Sequence, residues 1–540
     1  MATKYLRTLE SGPGFPFNYQ PSRIDRNALF ALNQTFDKSK IGQVREKYHR
    51  SRLNITDLRS DLLEYECEKK PRAHSVIYNA IVESVDQDIF GDCMITPLTH
   101  GAVANHENIP GEKSCGLPYK LQGFKNKREA LSDERVMKEI RSQWYAIERN
   151  EDVCLPDVAC YARAQICARD KNKVRATWGY PLSLYLTEGQ YFYPLLEHLK
   201  HKSQPTIAYG IEIGTGGMSY INEMVRSLKG NIVVGDWSRF DKTIPAWLIR
   251  DAFKLVARHI DWTHVQDSEG KMWDVRPSKS KTRFRRMVDY FINTPIQLSS
   301  GERFMKHGGV PSGSCFTNII DGIVNAIVTR YIVYDLTGEL PLGDVYLGDD
   351  IVAVTEKPLN LELFAEIARY QFSMNFNPDK SYQTSNITNV HFLGYYNLHG
   401  CPYKPVDTVI ASAIYPERPT KDAFETAIRL VGQAYSCFEP TDAKRFFQAA
   451  HILRKELDVT CEMMEDFIQD HPSFFKYLQT LGISARARLK IPEFLAYDLV
   501  LLTLPHACKR HWKRRFHNLE KLMQQALEVE DIPWLEYEDE

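Results

Sequence analysis

Short apolar runs alternate with amphipathic stretches through the middle of the chain, and the pattern changes after about residue 400. The clearest runs, 345–347 and 351–354, are rich in β-branched and aromatic residues and predict two short strands joined by the tight turn Gly348-Asp349. Beyond about Asp422 the apolar spacing becomes four, three and four, at Phe424, Ile428, Val431 and Tyr435. The pattern predicts an α+β body followed by a helical subdomain.

Two adjacent carboxylates, Asp349 and Asp350, occupy the tip of the predicted hairpin. Like charges repel, so their adjacency needs a reason. One reading is plain turn chemistry, since Gly-Asp suits a turn and Asp350 can be solvated. The other reading is a metal site, which requires partner carboxylates elsewhere in the chain.

A partner carboxylate ends another predicted strand. In NIVVGDWSRFDKTIP, residues 231–245, an apolar run leads into Asp236, Asp241 follows five residues later, and Pro245 suits the first turn of the next helix. Asp236 beside Asp349 would bring together two hard oxygen ligands, an arrangement that suits two magnesium ions in an in-line phosphoryl displacement. Spacing alone leaves open the alternative that Asp236 only caps a turn.

A glycine-rich loop precedes a long apolar helix, which Ser312 is predicted to open. The loop glycines, which let backbone approach a ligand closely, are Gly308, Gly309 and Gly313. The polar residues that recur every four positions along the helix are Thr317, Asp321 and Asn325. Buried polar groups are costly unless they are paired, so three in line indicate a ligand.

Composition places the chain among ordinary globular proteins. Its 540 residues exceed a single core, so several subdomains are expected, and residues 1 to about 60 predict an extended arm packed on the body. The 11 cysteines form no Cys-x-x-Cys pair, which favours a reducing compartment without a zinc site. With no apolar signal core and only a short apolar stretch around Asp498, we expect no membrane span.

A net charge of -1 conceals basic clusters. They are Arg163, Arg169, Lys171, Lys173 and Arg175; then Arg276, Lys279, Lys281, Arg283, Arg285 and Arg286; and then CKRHWKRRFH at 508–517. A single run of charge is commonly a solvated face, but three clusters in one neutral chain favour a groove for a polyanion.

Three ordered segments, DWSRFD (236–241), GVPSGSCFTNIIDGIVN (309–325) and YLGDD (346–350), resemble the palm motifs of viral RNA-dependent RNA polymerases. KSCGLPYK and RDKNKVRATWGYP resemble the template-binding and basic motifs of the fingers, NFNPDKS the lysine-bearing palm motif, and VHFLGYY the primer-grip hairpin. Together these segments reach from Ser114 to Tyr396. The phrase GVPSGSxFTxxID followed by VN is most similar to partitivirus polymerases, particularly the fungal gamma group, with picobirnavirus polymerases next.

The resemblance implies a right hand of fingers, palm and thumb, with an antiparallel palm sheet backed by helices and a helical thumb. The implied division is an N-terminal arm bridging fingers and thumb (1–60), fingers (61–228), first part of the palm (229–261), fingers insertion (262–306), second part of the palm (307–400), and thumb with C-terminal segment (401–540).

The resemblance also implies roles for individual residues. The implied ligands of two Mg²⁺ (or Mn²⁺) ions are Asp236, the Trp237 carbonyl, Asp349 and Asp350. The implied nucleotide-binding residues are Lys171, Lys173, Arg175, Asp241, Ser312, Gly313, Thr317 and Asn325. The implied template-binding residues are Ser114, Gly116 and Pro118. Lys380 would protonate the leaving pyrophosphate as general acid, whereas the plain alternative is a surface lysine paired with Asp379.

The implied partners are single-stranded and double-stranded RNA, ribonucleoside triphosphates and a viral capsid protein. The implied location is the virion interior or the host cytoplasm, away from membranes. The implied activity is transcription and replication of a viral double-stranded RNA genome.

One departure from the family pattern concerns the ribose. Many relatives carry an asparagine four residues after the motif threonine, whereas this chain has Asp321 there and Asn325 four residues later. An ionised Asp321 would repel Asp241, so we expect Thr317 or Asn325 to contact the ribose and Asp321 to pair with a basic group or a backbone donor.

Two other classes of protein share part of these features. A reverse transcriptase shares the palm, but its turn usually carries an aliphatic or aromatic residue before the two acids, and no later set of acids here suggests an RNase H domain. A non-catalytic RNA-packaging or capsid protein explains the basic clusters and leaves the acids at strand ends unexplained.

Overall fold

The computed structural model describes residues 4–20, 23–72, 75–471, 474, 490–491, 493 and 512–536. Up to residue 200 the elements are β1 (Leu6–Leu9), α1 (Arg26–Thr35), α2 (Lys38–Lys47), β2 (Tyr48–Arg50), α3 (Ile55–Leu63), α4 (Val76–Ile89), α5 (His100–Ala104), α6 (Lys127–Leu131), α7 (Glu134–Glu148), β3 (Val158–Ala164), β4 (Ile166–Ala168), β5 (Val174–Gly179) and α8 (Leu182–Lys200).

The central elements are α9 (Gly217–Leu228), β6 (Asn231–Gly235), β7 (Trp237–Ser238), α10 (Phe240–Thr243), α11 (Ala246–Arg258), β8 (His264–Gln266), β9 (Met272–Asp274), α12 (Pro277–Ile292), β10 (Pro295–Gln297), β11 (Arg303–Lys306), α13 (Thr317–Thr337), β12 (Gly343–Leu347), β13 (Asp350–Thr355) and α14 (Leu361–Phe372). The remaining elements are β14 (Asn375–Phe376), β15 (Tyr382–Thr384), β16 (His391–Phe392), β17 (Tyr395–Leu398), β18 (Cys401–Tyr403), α15 (Val406–Ile414), α16 (Ala423–Cys437), α17 (Pro440–Glu456), α18 (Cys461–Asp470) and α19 (Leu519–Glu528).

A four-stranded antiparallel sheet in the order β12-β13-β6-β15 lies at the centre of the chain. The predicted hairpin is confirmed, because β12 pairs with β13 from Gly343↔Val354 to Leu347↔Asp350. Consecutive residues of β6 and β13 are buried, so both faces of these strands are covered, which explains their unbroken apolar runs. Helices α11 and α13 are buried along most of their length and belong to the larger core.

A second sheet, in the order β1-β11-β10-β3-β5, carries the first basic cluster. Its strands are antiparallel except for β10 and β3, which run parallel. The N-terminal segment contributes the edge strand β1 and then continues to α1, where Asp25 caps the helix and accepts hydrogen bonds from Thr426 (2.8 Å) and Arg429 (3.0 Å). The first residues of the chain therefore connect this sheet to the C-terminal helices.

The C-terminal part is helical, as the spacing predicts. In α16, Ile428, Val431 and Tyr435 are buried in a second core, which also receives the apolar faces of α1 and α2. Helix α17 begins at Pro440, and Glu439 caps it by accepting a hydrogen bond from the Asp442 N–H. None of the described helices is both long and apolar enough to cross a membrane.

Candidate active site

Three acidic residues lie at one edge of the central sheet. Asp236 follows β6, Asp349 lies in the turn between β12 and β13, and Asp350 begins β13. Ile351 pairs with Gly235, so Asp350 and Asp236 come at neighbouring positions of adjacent strands. Gly348 supplies the positive φ of 58° that this tight turn requires.

The carboxylates perturb one another electrostatically. Burial raises the pKa of Asp350 to about 7, and the charges of Asp349 and Asp236 add to that rise. Burial also raises the pKa of Asp349, and the nearby charge of Arg175 opposes the rise. Negative charge is thus concentrated at a partly buried point, where a cation would be stabilised.

The donor chemistry fits a hard divalent cation, since carboxylate oxygens are the ligands that Mg²⁺ prefers. Among the described residues, however, no three His, Cys, Asp or Glu side chains are gathered into a group that could hold a metal ion. Trp237 lies in β7, which pairs with β14. Its carbonyl therefore stays a predicted ligand, and so do the three carboxylates.

Asn325, on α13, holds the turn of the acidic hairpin through hydrogen bonds. Its amide Nδ2 donates to the Gly348 carbonyl (2.9 Å), and its Oδ1 accepts from the Trp237 indole (3.1 Å) and the Thr329 hydroxyl (3.2 Å). The side chain is fully buried. These bonds occupy both ends of the amide, so the predicted ribose contact of Asn325 does not fit the structure.

The structure also corrects the expectation for Asp321. Burial raises its pKa well above the ordinary value, and the charges of Asp241 and Asp349 raise it further. Its Oδ1 is buried and, within the described part of the chain, has no hydrogen-bond partner. Among the described residues, the charges that act on Asp321 are those of other acids and not of the expected basic group, which favours the protonated form of Asp321.

Asp241 lies on the short helix α10, one turn beyond Asp236. Burial raises its pKa, and among the neighbouring charges that of Lys242 lowers it while that of Asp61 raises it. Arg175 also acts on Asp241. The half-buried Asp241 and the buried Asp321 thus form an interacting pair of acids next to the hairpin, and in such a pair a protonated carboxyl can donate a hydrogen bond to an ionised one.

The glycine-rich loop is longer than the sequence pattern predicts, because α13 begins at Thr317 and not at Ser312. The Thr317 hydroxyl donates to the Pro311 carbonyl (2.7 Å), which closes the loop on itself. Gly313 has a φ of 93°, and a Cβ there would lie 2.5 Å from the Trp178 carbonyl. Ser312 is half-buried and Gly313 exposed, so the tip of the loop is open to a ligand.

Glu188, on α8, anchors this loop, and motif reasoning missed it. Its Oε2 accepts hydrogen bonds from the Ser314 hydroxyl (2.6 Å) and from the Cys315 N–H (2.8 Å). Burial raises its pKa to about 7, although these hydrogen bonds lower it. The available sequence signal is a single acid inside the apolar stretch SLYLTEGQYFY.

The predicted template turn packs beside the same loop. Gly116 has a φ of 68°, and a Cβ there would lie 2.6 Å from the Tyr180 carbonyl. The Ser114 carbonyl accepts a hydrogen bond from Lys127 Nζ (2.6 Å), and Pro118 is half-buried. The turn and the loop therefore converge where β5 ends.

The basic side chains on β5 and on the segment that precedes it are exposed. Lys171 and Lys173 lie between β4 and β5, and Arg175 lies on β5. Lys380 is exposed as well, and its loop is fixed to Asp236, whose N–H donates to Ser381 Oγ (2.8 Å) and whose carbonyl accepts from the Asn377 N–H (2.8 Å). Of these cations, Arg175 lies close enough for its charge to act on Asp349.

The other basic clusters are used partly inside the protein. Arg283 is buried and pairs with Glu148 at 3.0 Å. In the cluster at 508–517, residues 508–511 lie outside the described residues, Trp512 is buried, and Arg515 lies 3.5 Å from Asp344. Arg283 and Arg515 therefore lie neither on a solvated face nor in an open groove, because both side chains pair with acids inside the protein.

The antiparallel sheet with acids at its hairpin tip, placed between a basic sheet and a helical subdomain, is the palm of a right-hand polymerase. The fold agrees with a solved structure, that of the Sicinivirus 3Dpol RNA-dependent RNA polymerase, with a TM-score of 0.61 at 16% sequence identity over 88% of this chain and 99% of that one. The predicted fold class is confirmed.

The family model for viral RNA-dependent RNA polymerase matches residues 36–398. The RNA-directed RNA polymerase of Cryptosporidium parvum virus 1 (strain KSU-1) is 30% identical over 61% of this chain and 63% of its own length. Those of Atkinsonella hypoxylon virus (isolate 2H) and White clover cryptic virus 1 (isolate Boccardo/2004) are 28% and 23% identical, over 51% and 49% of this chain. The chain belongs to the viral RNA-dependent RNA polymerase family.

The matches extend over part of each relative only. They cover 63%, 47% and 46% of the three relatives' own lengths. The likeness therefore fixes the family and the fold.

Proposed function

We propose that this protein synthesises RNA on an RNA template from ribonucleoside triphosphates, and that it transcribes and replicates a viral double-stranded RNA genome. The observation that carries the proposal is the set of acids Asp236, Asp349 and Asp350 at the edge of the palm sheet, in a chain of this family. Arg175 beside them offers positive charge for a triphosphate.

The acids are proposed to hold two Mg²⁺ or Mn²⁺ ions, with the Trp237 carbonyl as a further ligand. When bound, the ions stabilise charge on the attacking and leaving oxygens of the displacement. Lys171, Lys173 and Arg175 bind the triphosphate, and Ser114, Gly116 and Pro118 contact the template. Lys380, exposed on the loop fixed to Asp236, donates the proton that the pyrophosphate needs as it leaves.

For the ribose, we revise the assignment made from sequence and propose Asp241 with Asp321. A 2′-hydroxyl both donates and accepts, so it needs one acceptor and one donor. In this assignment Asp241 accepts and Asp321 donates, because burial among acids raises the pKa of Asp321 well above that of an ordinary carboxyl. Ser312, Gly313 and Thr317 complete the nucleotide site through the loop, and Asn325 acts by holding the hairpin.

The division of the chain is also a proposal: an arm (1–60), fingers (61–228 and 262–306), palm (229–261 and 307–400), and thumb with the C-terminal segment (401–540). Pairing of β1 with the basic sheet and contact of α1 with the C-terminal helices support the bridging arm. The proposed group is the partitiviruses, supported by the phrase GVPSGSCFTNIID, with a capsid protein as partner and the virion interior or host cytoplasm as location.

Replacing Asp349 by Asn tests the function. Purified protein is incubated with single-stranded RNA, Mg²⁺ or Mn²⁺, and either ribonucleotides or deoxyribonucleotides. We expect labelled RNA from the wild type and a loss of several orders of magnitude in Asp349→Asn, because charge stabilisation worth several kcal/mol disappears. Folding and RNA binding should stay near normal.

Three results would contradict the proposal: full synthesis by Asp349→Asn, product from deoxyribonucleotides only, or RNA binding by the wild type without any synthesis. The second result would indicate a reverse transcriptase, and the third a packaging protein. Asp350→Asn is the matched neighbour, and its expected effect is milder.

A further inference from the structure

Asp61, on α3, accepts hydrogen bonds through both carboxylate oxygens, and each donor lies on an element that carries a residue of the proposed nucleotide site. Its Oδ1 accepts from Lys242 Nζ at 2.5 Å, and its Oδ2 accepts from the Ala176 backbone N–H at 2.8 Å. Lys242 Nζ also donates to Glu64 at 3.1 Å. The side chains of Asp61 and Lys242 are only 18% and 10% exposed, so the pair is held in place.

Each of these two contacts lies next to a residue of the proposed nucleotide site. Ala176 follows Arg175 on β5, and Lys242 follows Asp241 on α10. Arg175 and Asp241 are close enough for the charge of Arg175 to act on the Asp241 carboxyl. One carboxylate thus ties the strand with the triphosphate-binding arginine to the helix with the ribose-binding acid.

We propose that Asp61 is a positioning residue for the nucleotide, which sets the spacing between Arg175 and Asp241. The inference rests on the proposed function. A nucleotide must reach both residues at once, and displacement by about 1 Å is enough to weaken such a two-point grip. Because Asp61 touches neither the hairpin acids nor the loop of Lys380 in any described contact, its loss should weaken nucleotide binding more than the chemical step.

The test compares Asp61→Asn and Lys242→Met with the control Asp157→Asn. Asp157 also forms a little-exposed ion pair, 2.6 Å from Arg303, just before β3 of the same sheet, but that pair contacts neither Ala176 nor Lys242 in any described hydrogen bond. For Asp61→Asn we expect the KM for ribonucleotides to rise about tenfold, as on losing one charge-assisted hydrogen bond, with kcat within about twofold of wild type. Lys242→Met should raise the KM similarly.

A merely structural ion pair would not move substrate choice. We therefore also expect the ratio of ribonucleotide to deoxyribonucleotide kcat/KM to fall in Asp61→Asn and to stay unchanged in Asp157→Asn, with similar melting temperatures in both. An unchanged KM and ratio in Asp61→Asn, or a fall in kcat at constant KM, would overturn the inference.

Failure of the inference is distinguishable from failure of the proposed function. Binding of a fluorescent ribonucleotide to the protein–RNA complex is measured alongside synthesis. Wild-type protein that makes no RNA refutes the function. Wild-type protein that synthesises RNA and binds the nucleotide no better than Asp61→Asn refutes the role of Asp61 alone.

Discussion

Replacing Glu188 by Gln should change how the stability of the protein depends on pH. The carboxyl is fully buried beneath the glycine-rich loop, where it accepts hydrogen bonds from Ser314 and Cys315. Burial raises its pKa from 4.5 to about 7. The folded protein thus binds this proton more tightly than the unfolded chain, and the stability present below pH 4.5 is lost as the pH rises through about 7.

The size of the effect follows from the shift. At about 1.36 kcal/mol per pKa unit, ionising Glu188 in the folded protein costs about 3 kcal/mol in full. For a chain of 540 residues the unfolding entropy makes about 1 kcal/mol equal to roughly 1 °C in Tm. Gln keeps an acceptor for both hydrogen bonds and carries no charge. Relative to wild type, Glu188→Gln should therefore gain about 2–3 °C in Tm between pH 5 and pH 8.

The measurement is calorimetric melting of both proteins at pH 5, 6, 7 and 8. Glu302→Gln is the control, since it removes a more exposed carboxylate, paired with Arg59 at 2.8 Å, whose contribution to stability is expected to be small. Its Tm should follow wild type at each pH. Parallel curves for wild type and Glu188→Gln would refute the assignment of a buried, proton-binding Glu188.

Two further outcomes follow from buried polar groups. In a primer-extension assay, Asp321→Ala should abolish the preference for ribonucleotides over deoxyribonucleotides, whereas Asp321→Asn should keep it. Asn325→Ala should slow incorporation of both kinds of nucleotide, because the Gly348 carbonyl loses its hydrogen-bond donor. A changed ratio in Asn325→Ala alone would reverse the assignment. Arg515→Met should lower the free energy of unfolding by about 3 kcal/mol, because Asp88 and Asp344 lose a buried partner, with an unchanged salt dependence of RNA binding; a flatter salt slope would place Arg515 in the RNA groove.

The palm was predictable from the sequence because its signals are local. The strand pattern of the hairpin, the turn at Gly348-Asp349 and the strand leading to Asp236 each depend on neighbouring residues, and all three are present. The predicted start of the long helix, Ser312, was wrong by five residues, because α13 begins at Thr317. Ser312 looks like a helix cap, but the chain first closes a loop in which Thr317 bonds to Pro311, and no local pattern announces that contact.

The ribose assignment made from the sequence is revised for a different reason. Treating Asp321 as ionised was reasonable for an isolated carboxyl, whose ordinary pKa is near 4. In the fold, Asp241 and Asp349 come from other segments and surround a buried Asp321, so its protonated form is favoured. The charge of a carboxyl is therefore a tertiary property, and sequence spacing could identify the polar line on α13 without saying which member faces the nucleotide.

Charges that stand alone in apolar stretches identify a second layer of residues that motif matching misses. Arg330 is the only charge within the run IVNAIVTRYIV, and a buried guanidinium must find partners. It finds Asp344 at 2.7 Å on the strand that leads to the acidic hairpin, and Asp88 at 2.7 Å on α4, while Arg515 approaches the same acids from the C-terminal segment. The spacing of motif residues reflects the chemistry that they are proposed to perform on a ligand. A buried lone charge instead pairs with residues of other elements, so its partners show how the strand that leads to the hairpin is held in place. The C-terminal segment thus helps to hold the strand that leads to the acidic hairpin, because removing it would leave Asp88 and Asp344 without one of their two described arginines.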